Sequence, residues 1–145
     1  MQNLPILRLH PKAELPAYKT EGSAGMDLAY IGDEDLLLPK GEVLLVPTGL
    51  AIAIPKGYEG QIRPRSGFST KNRIIMPNAP GTIDSDYRGE VKIPVLNLSG
   101  SDFRLEVGTR IAQIIFQKVE LLAPIFVASL DETERGMGGF GSTGK

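Results

Sequence analysis

Polar and apolar positions alternate, or give way to β-branched runs, over residues 6–9, 42–46, 50–54, 90–98, 110–119 and 125–127, and each stretch predicts a strand. Turn signals separate them, as in Pro39-Lys40-Gly41, Pro55-Lys56-Gly57 and Leu98-Ser99-Gly100-Ser101-Asp102. Residues 107–119 would also place Val107, Ile111, Ile114 and Ile115 on one helical face. A strand is preferred there, because Ile114-Ile115-Phe116 favours β structure and Gly108 falls where a helix would need its second residue. The best helix candidate is 66–73, with Ser and Thr early and Lys71 and Arg73 late, at most two turns long. The pattern predicts an all-β sandwich, jelly roll or barrel.

Composition narrows the function classes. A chain of 145 residues suits one domain, and Gly at 17 with Pro at 11 is too much punctuation for a helical bundle. Zero Cys excludes disulfide scaffolds, thiolate zinc sites and cysteine nucleophiles. Lys plus Arg at 16 against Asp plus Glu at 17 leaves a net charge of −1, so no overall field recruits nucleic acid or an anionic membrane. No window approaches the roughly 20 apolar residues of a membrane span. The opening Met1-Gln2-Asn3-Leu4-Pro5 lacks a basic flank and an apolar stretch, so the expected address is cytoplasmic.

The compositional break comes at the end. Residues 1–134 read as a β core, and residues 135–145, with Gly at 5 of 11 positions, as an arm whose ordering costs too much backbone entropy unless something holds it. Gly139 to Lys145 matches the opening of a phosphate-binding P-loop, but no strand leads in and no Ser or Thr follows the Lys. Its backbone N–H groups, with Arg135, Ser142, Thr143 and Lys145, can nevertheless wrap a polyphosphate, and Phe140 offers a flat face to a base. Taken alone, the segment reads more readily as a disordered solubilising tail.

Further candidates lie in the core. In Arg63-Pro64-Arg65-Ser66-Gly67, a helix starting at Ser66 would turn that hydroxyl and nearby N–H groups towards an anion, with Arg65 as a bidentate fork. The bland alternative is an exposed basic turn. Asn78-Ala-Pro-Gly81-Thr-Ile-Asp84-Ser-Asp86-Tyr87-Arg-Gly89 opens like a calcium loop, but Arg88 stands at the fifth ligand position and Val95 where Glu is needed. Asp84, following Ile83, is expected at a strand end with restricted hydration, as a general base requires; Asp-Ser-Asp is otherwise ordinary turn material. Ser23-Ala24-Gly25-Met26-Asp27-Leu28 carries an acid inside an apolar run, and Gly108-Thr109-Arg110-Ile111-Ala112-Gln113 a polar pair heading a strand. His10, the single histidine, reads as structural, which leaves no Ser/His/Asp triad.

In order and spacing, five of these patches resemble the five motifs of the homotrimeric dUTPase family: Ala24-Gly-Met-Asp27-Leu28, Pro64-Arg-Ser-Gly67, Gly81-Thr-Ile-Asp84-Ser-Asp-Tyr87-Arg-Gly89, Gly108-Thr-Arg-Ile-Ala-Gln113, and Arg135-Gly-Met-Gly-Gly-Phe-Gly-Ser-Thr-Gly144. Phe68-Ser69-Thr70 departs from that pattern, where a more apolar stretch is expected, which bears on local helix packing or subunit contacts. The resemblance implies a distorted jelly-roll-like β-barrel or sandwich with one short helix and a flexible C-terminal arm. It also implies magnesium-dependent hydrolysis of dUTP to dUMP and pyrophosphate, which limits uracil in DNA and supplies dUMP for dTTP synthesis. The active site is implied to be shared within a homotrimer: motifs one, two and four from one subunit, motif three from a second, the arm from a third.

Carried over by position, the resemblance makes Asp84 the base that deprotonates water for attack on the α-phosphorus. Tyr87 is implied to pack under the deoxyribose and refuse a 2′-hydroxyl. Asn78 and the backbone of Gly81, Thr82, Ile83 and Asp84 are implied to bind the uracil edge, with a contact extending to Lys92. Arg65, Ser66, Gly67 and Gln113 are implied to hold the α- and β-phosphates. Arg135, Gly141, Ser142 and Thr143 are implied to close over the γ-phosphate, and Phe140 over uracil. Mg2+ is implied to sit on the phosphates with water in its remaining positions, Asp27 acting through those waters and no protein group ligating it directly. A dCTP deaminase, which shares the β core and triphosphate clamp, and a non-enzymatic β-sandwich binding module are the rival readings; the Asp-x-x-Tyr segment and the Phe-bearing arm favour the hydrolase.

Overall fold

The computed structural model describes residues 3–139. In chain order the strands are β1 (Ile6–Arg8), β2 (Met26–Ala29), β3 (Leu36–Leu38), β4 (Val43–Ile52), β5 (Tyr58–Pro64), β6 (Ile74–Ile75), β7 (Gly81–Ile83), β8 (Glu90–Asn97), β9 (Phe103–Leu105) and β10 (Arg110–Lys118). Among the described residues one helix, α1 (Ser66–Asn72), joins β5 to β6. One sheet runs β1-β4-β8-β6, a second β2-β10-β5-β7, and β3 and β9 form a separate ribbon. Every pairing is antiparallel.

A single apolar cluster is fed from all three. Val46, Ile52, Val91 and Ile93 come from the first sheet, Leu28, Ile62 and Ile114 from the second, and Leu38 and Leu105 from the ribbon. A core filled by two facing sheets is a sandwich. The fold is the expected jelly-roll-like one, but no barrel closes, because β1 and β6 end one sheet and β2 and β7 the other. In β8 strict alternation points Val91, Ile93, Val95 and Asn97 inward. Asn97 is buried and fully satisfied: its Nδ2 donates to the carbonyls of Leu38 and Ser101, both at 2.8 Å, and its Oδ1 accepts from the N–H and Oγ of Ser99. That network pins the ribbon to the sheet.

Strands expected at 6–9, 90–98 and 110–119 occur within a residue or so of those limits. The pieces expected at 42–46 and 50–54 are one strand, β4, whose register against β8 shifts between Pro47 and Ala51. A bulge absorbs the interruption, with Gly49 at φ +67°; a Cβ there would stand 2.8 Å from His10 Cβ and 3.1 Å from Ala13 Cβ. The strand expected at 125–127 does not form: Ile125, Phe126 and Val127 are exposed and find no partner strand. Apolarity alone does not make a strand where there is no ladder to join. The helix ends one residue early because Arg73 adopts the left-handed conformation, φ 54° and ψ 37°. Phe68, part of the departure after motif two, packs edge-to-face on Phe103 at 6.1 Å between ring centroids, fastening α1 to the ribbon.

Candidate active site

Alternation in β2 sends Met26 and Leu28 into the core and leaves Asp27 on the opposite face. β10 lies beside β2 with Gln113 opposite Asp27, and the same Gln113 faces Arg63 of β5 on its other side. Gly25 permits this closeness, since a Cβ there would stand 2.9 Å from Gln113 Oε1. β5 ends at Pro64, and the next residue, Arg65, donates its Nε to Asp27 Oδ1 at 2.8 Å. Arg110 Nη1 donates to Asp27 Oδ2 at 2.9 Å. One carboxylate therefore sets the planes of two guanidiniums, and its side chain is only 17% exposed. The pair is charge-assisted and shielded enough to hold its geometry.

Asp27, Arg65, Arg110 and Gln113 wall an open cleft of about 730 Å3 together with Ser66, Gly67, Lys19 and Lys71. Its four cations, Lys19, Arg65, Lys71 and Arg110, suit a polyphosphate. The helix starts at Ser66 as expected, with that side chain exposed; Arg65 is its N-cap, extended at φ −81° and ψ 123°, and makes no side-chain capping bond.

Motif three builds a different cleft, about 410 Å3, walled by Thr82, Ile83, Asp84, Tyr87, Glu90 and Lys92. β7 pairs with β5 through Gly81 to Ile83, and Asp84 follows directly. Asp84 does stand at a strand end, but its side chain is exposed, so its hydration is not restricted within this one chain. A turn follows, closed by the Tyr87 N–H donating to the Asp84 carbonyl at 3.2 Å. Arg88 Nη1 donates to the carbonyls of Ser85 and Tyr87, at 2.7 and 2.8 Å. The Tyr87 ring lies over Gly89, where a Cβ would come within 2.6 Å of its Cζ, and its hydroxyl donates to the Glu90 carbonyl at 3.0 Å.

Asp27, Arg65, Ser66, Gly67 and Gln113 thus share one cleft, and Thr82, Ile83, Asp84, Tyr87 and Lys92 the other, with no wall residue in common. Asn78 lies beside Gly81, where a Cβ would be 3.1 Å from its Nδ2, and neither residue walls either cleft. Arg135 is exposed, its Nε donating to the Gly138 carbonyl at 2.8 Å, also outside both clefts. Phe140, Gly141, Ser142 and Thr143 lie outside the described residues. Arg110, Lys19 and Glu90 are additions that sequence reasoning missed. Arg110 was legible as a cation three residues before Gln113 on one strand; Lys19 and Glu90 carry no local signal.

The sequence matches the dUTPase family model over residues 11–144. Among curated relatives, the deoxyuridine 5'-triphosphate nucleotidohydrolase of Leptospira interrogans is 54% identical, covering 96% of this chain and 97% of its own length. That of Brucella melitensis is 57% identical, covering 97% and 92%. Among solved structures, the Staphylococcus bacteriophage 80alpha dUTPase with dUPNHPP superposes with a TM-score of 0.89 at 26% identity, each chain fully covered. With a family match that spans nearly all of its length and relatives more than half identical to it, the chain belongs to the dUTPase family.

Proposed function

We propose that this protein hydrolyses dUTP to dUMP and pyrophosphate. Its family membership and the relatives named for this activity support the reaction. In the proposed chemistry a water oxygen bonds to the α-phosphorus and the bond from that phosphorus to the bridging oxygen breaks. The electron pair leaves on pyrophosphate. Asp84 takes the water proton, a contribution of about 10²–10⁴ in rate. Arg65, Ser66, Gly67 and Gln113 hold the α- and β-phosphates and offset charge that develops there. Asp27 keeps Arg65 and Arg110 aimed.

Uracil is read by the backbone of Gly81 to Asp84 with Asn78 and Lys92. An N–H offered to O4 and a carbonyl offered to N3–H suit uracil, whereas the amine of cytosine reverses that pairing and the thymine methyl crowds it. Tyr87 occupies the space a 2′-hydroxyl would need. Arg135, Ser142 and Thr143 close over the γ-phosphate, with Phe140 over the base.

Among the described residues no cluster of three or more His, Asp or Glu forms a metal cage, and each Asp27 oxygen already accepts from a guanidinium. That donor set fits a magnesium ion carried on the phosphate oxygens and completed by water. Bound there, the ion supplies charge neutralisation along the triphosphate. The remaining lone pairs of Asp27 are free to orient its waters.

The observation that carries the reading is the separation of the two clefts. A triphosphate lodged beside Arg65 meets an Asp84 carboxylate from another copy of the chain in a trimer with shared sites, and two clefts with no wall residue in common support that arrangement. The test is pyrophosphate release from dUTP with magnesium, with UTP, dTTP and dCTP as controls, alongside sedimentation. Release confined to dUTP from a trimeric species is the expected result. Ammonia from dCTP would point instead to a deaminase, and no turnover at all to a binding module.

A further inference from the structure

We infer that Glu90 is a positioning residue that ties the sugar-facing Tyr87 to the bulge in β4. The inference rests on the role proposed for Tyr87. Glu90 opens β8 and pairs with Ala51, on the far side of the register shift that begins at Pro47. A bulge leaves a backbone donor without a ladder partner. Here that donor is the Gly49 N–H, and it is satisfied by Glu90 Oε1 at 2.9 Å. The Gly49 carbonyl accepts from the Leu9 N–H at 2.8 Å, so the bulge is held from both sides.

The carbonyl of the same Glu90 accepts the Tyr87 hydroxyl at 3.0 Å. Its side chain is 23% exposed, and Oε2 stands 3.7 Å from Lys92 Nζ, which walls the same cleft as Tyr87 and Asp84. One residue therefore makes three connections: its carboxylate to the bulge, its carbonyl to Tyr87, and its second oxygen to Lys92. The turn between β7 and β8 that carries Tyr87 is otherwise exposed from Asp84 to Arg88 apart from the half-buried Ser85. Such a turn has little packing of its own to set the height of a ring. The clamp at Glu90 sets it against the rigid β4–β8 pair, and the exclusion of a 2′-hydroxyl depends on that height.

Three variants of the full chain test this. Glu90→Gln keeps an acceptor within reach of the Gly49 N–H. Glu90→Asp keeps the charge but is one methylene short. Glu90→Ala removes both. The measurements are kcat and KM for dUTP, the ratio of kcat/KM for dUTP over UTP, and the melting temperature. For Glu90→Asp and Glu90→Ala the dUTP/UTP ratio is expected to fall about tenfold, mainly through KM, and for Glu90→Gln to stay within about twofold of the unsubstituted protein. An unchanged ratio in Glu90→Asp, whatever happens to its melting temperature, overturns the inference. So does a Glu90→Gln variant as damaged as Glu90→Asp, which would assign the effect to charge. If Glu90→Ala does not fold, the Asp and Gln variants decide alone. Failure of the unsubstituted protein to hydrolyse dUTP would overturn the proposed function instead, and is read before any variant is compared.

Discussion

Asp27, within β2, and Arg65, the residue that follows β5, meet at 2.8 Å between Oδ1 and Nε, and Arg110 Nη1 takes the other carboxylate oxygen at 2.9 Å. Asp27→Asn leaves two guanidiniums side by side without the charge between them. The expected cost is roughly 1–2 kcal/mol in folding stability. Misaiming of Arg65 should lower kcat/KM for dUTP by more than about tenfold. Thermal melts run beside steady-state kinetics measure both, and full activity in this variant would remove the carboxylate from the site's architecture.

Gly89 makes room for the Tyr87 ring, whose Cζ and Cε2 would lie 2.6 and 3.0 Å from a Cβ at that position. Gly89→Ala must push the ring off the turn, because both it and the backbone are exposed enough to yield without unfolding the core. The expected result is a folded protein whose preference for dUTP over UTP falls about tenfold. Competition kinetics with the two nucleotides reads it directly.

Asp84→Asn retains size and loses the proton acceptor. Turnover is expected to fall by about 10²–10⁴. Affinity for a non-hydrolysable dUTP analogue, measured by calorimetry, should stay within about threefold. A collapse of affinity would assign Asp84 to binding.

Removing residues 135–145 takes away the arm but no strand among the described residues, since β10 ends at Lys118. The truncated chain should keep its melting temperature within a few degrees and lose most turnover. Retained activity would show that the arm plays no part in closing the site.

Asp35 Oδ1 accepts from the Val107 N–H at 3.0 Å, and Oδ2 from Arg104 Nε at 2.9 Å. The Val107 bond first and the Arg104 bond second hold its carboxyl below the ordinary carboxylate range. A lowered folded-state value stabilises the ribbon above the unfolded-state pKa, and that contribution disappears as pH falls through the folded-state value. Wild type is therefore expected to melt above Asp35→Asn near neutrality, with the gap closing as pH falls below the ordinary aspartate range and through the lowered folded-state value. A gap that persists unchanged in acid would contradict this linkage.

Much of the chemistry was legible in the chain before any fold was known. The alternation around Val91, Ile93 and Val95 and the β-branched run from Arg110 marked the central strands, because period-2 patterning survives without knowledge of the partner. The motif residues could be named because their identities and order are local facts. The strands β2, β3, β6, β7 and β9 were less visible, being two to four residues long, too short for a period to emerge. β5 was hidden by Gly60 and Pro64, which interrupt the apolar half of its alternation. The apolar residues Ile125 to Val127 misled in the opposite direction, since burial depends on a partner the local sequence does not contain.

Residue identity by itself determined the fold class, the absence of thiol chemistry and the set of groups proposed to handle a nucleotide. Tertiary structure alone decided which of those groups meet. Asp27 faces Arg65 and Arg110 because β2, β5 and β10 share a sheet, and Glu90 reaches Gly49 because a bulge in β4 leaves one N–H open. Both contacts join residues far apart in the chain, and such contacts are set by strand pairing and register, which no local pattern of side chains encodes.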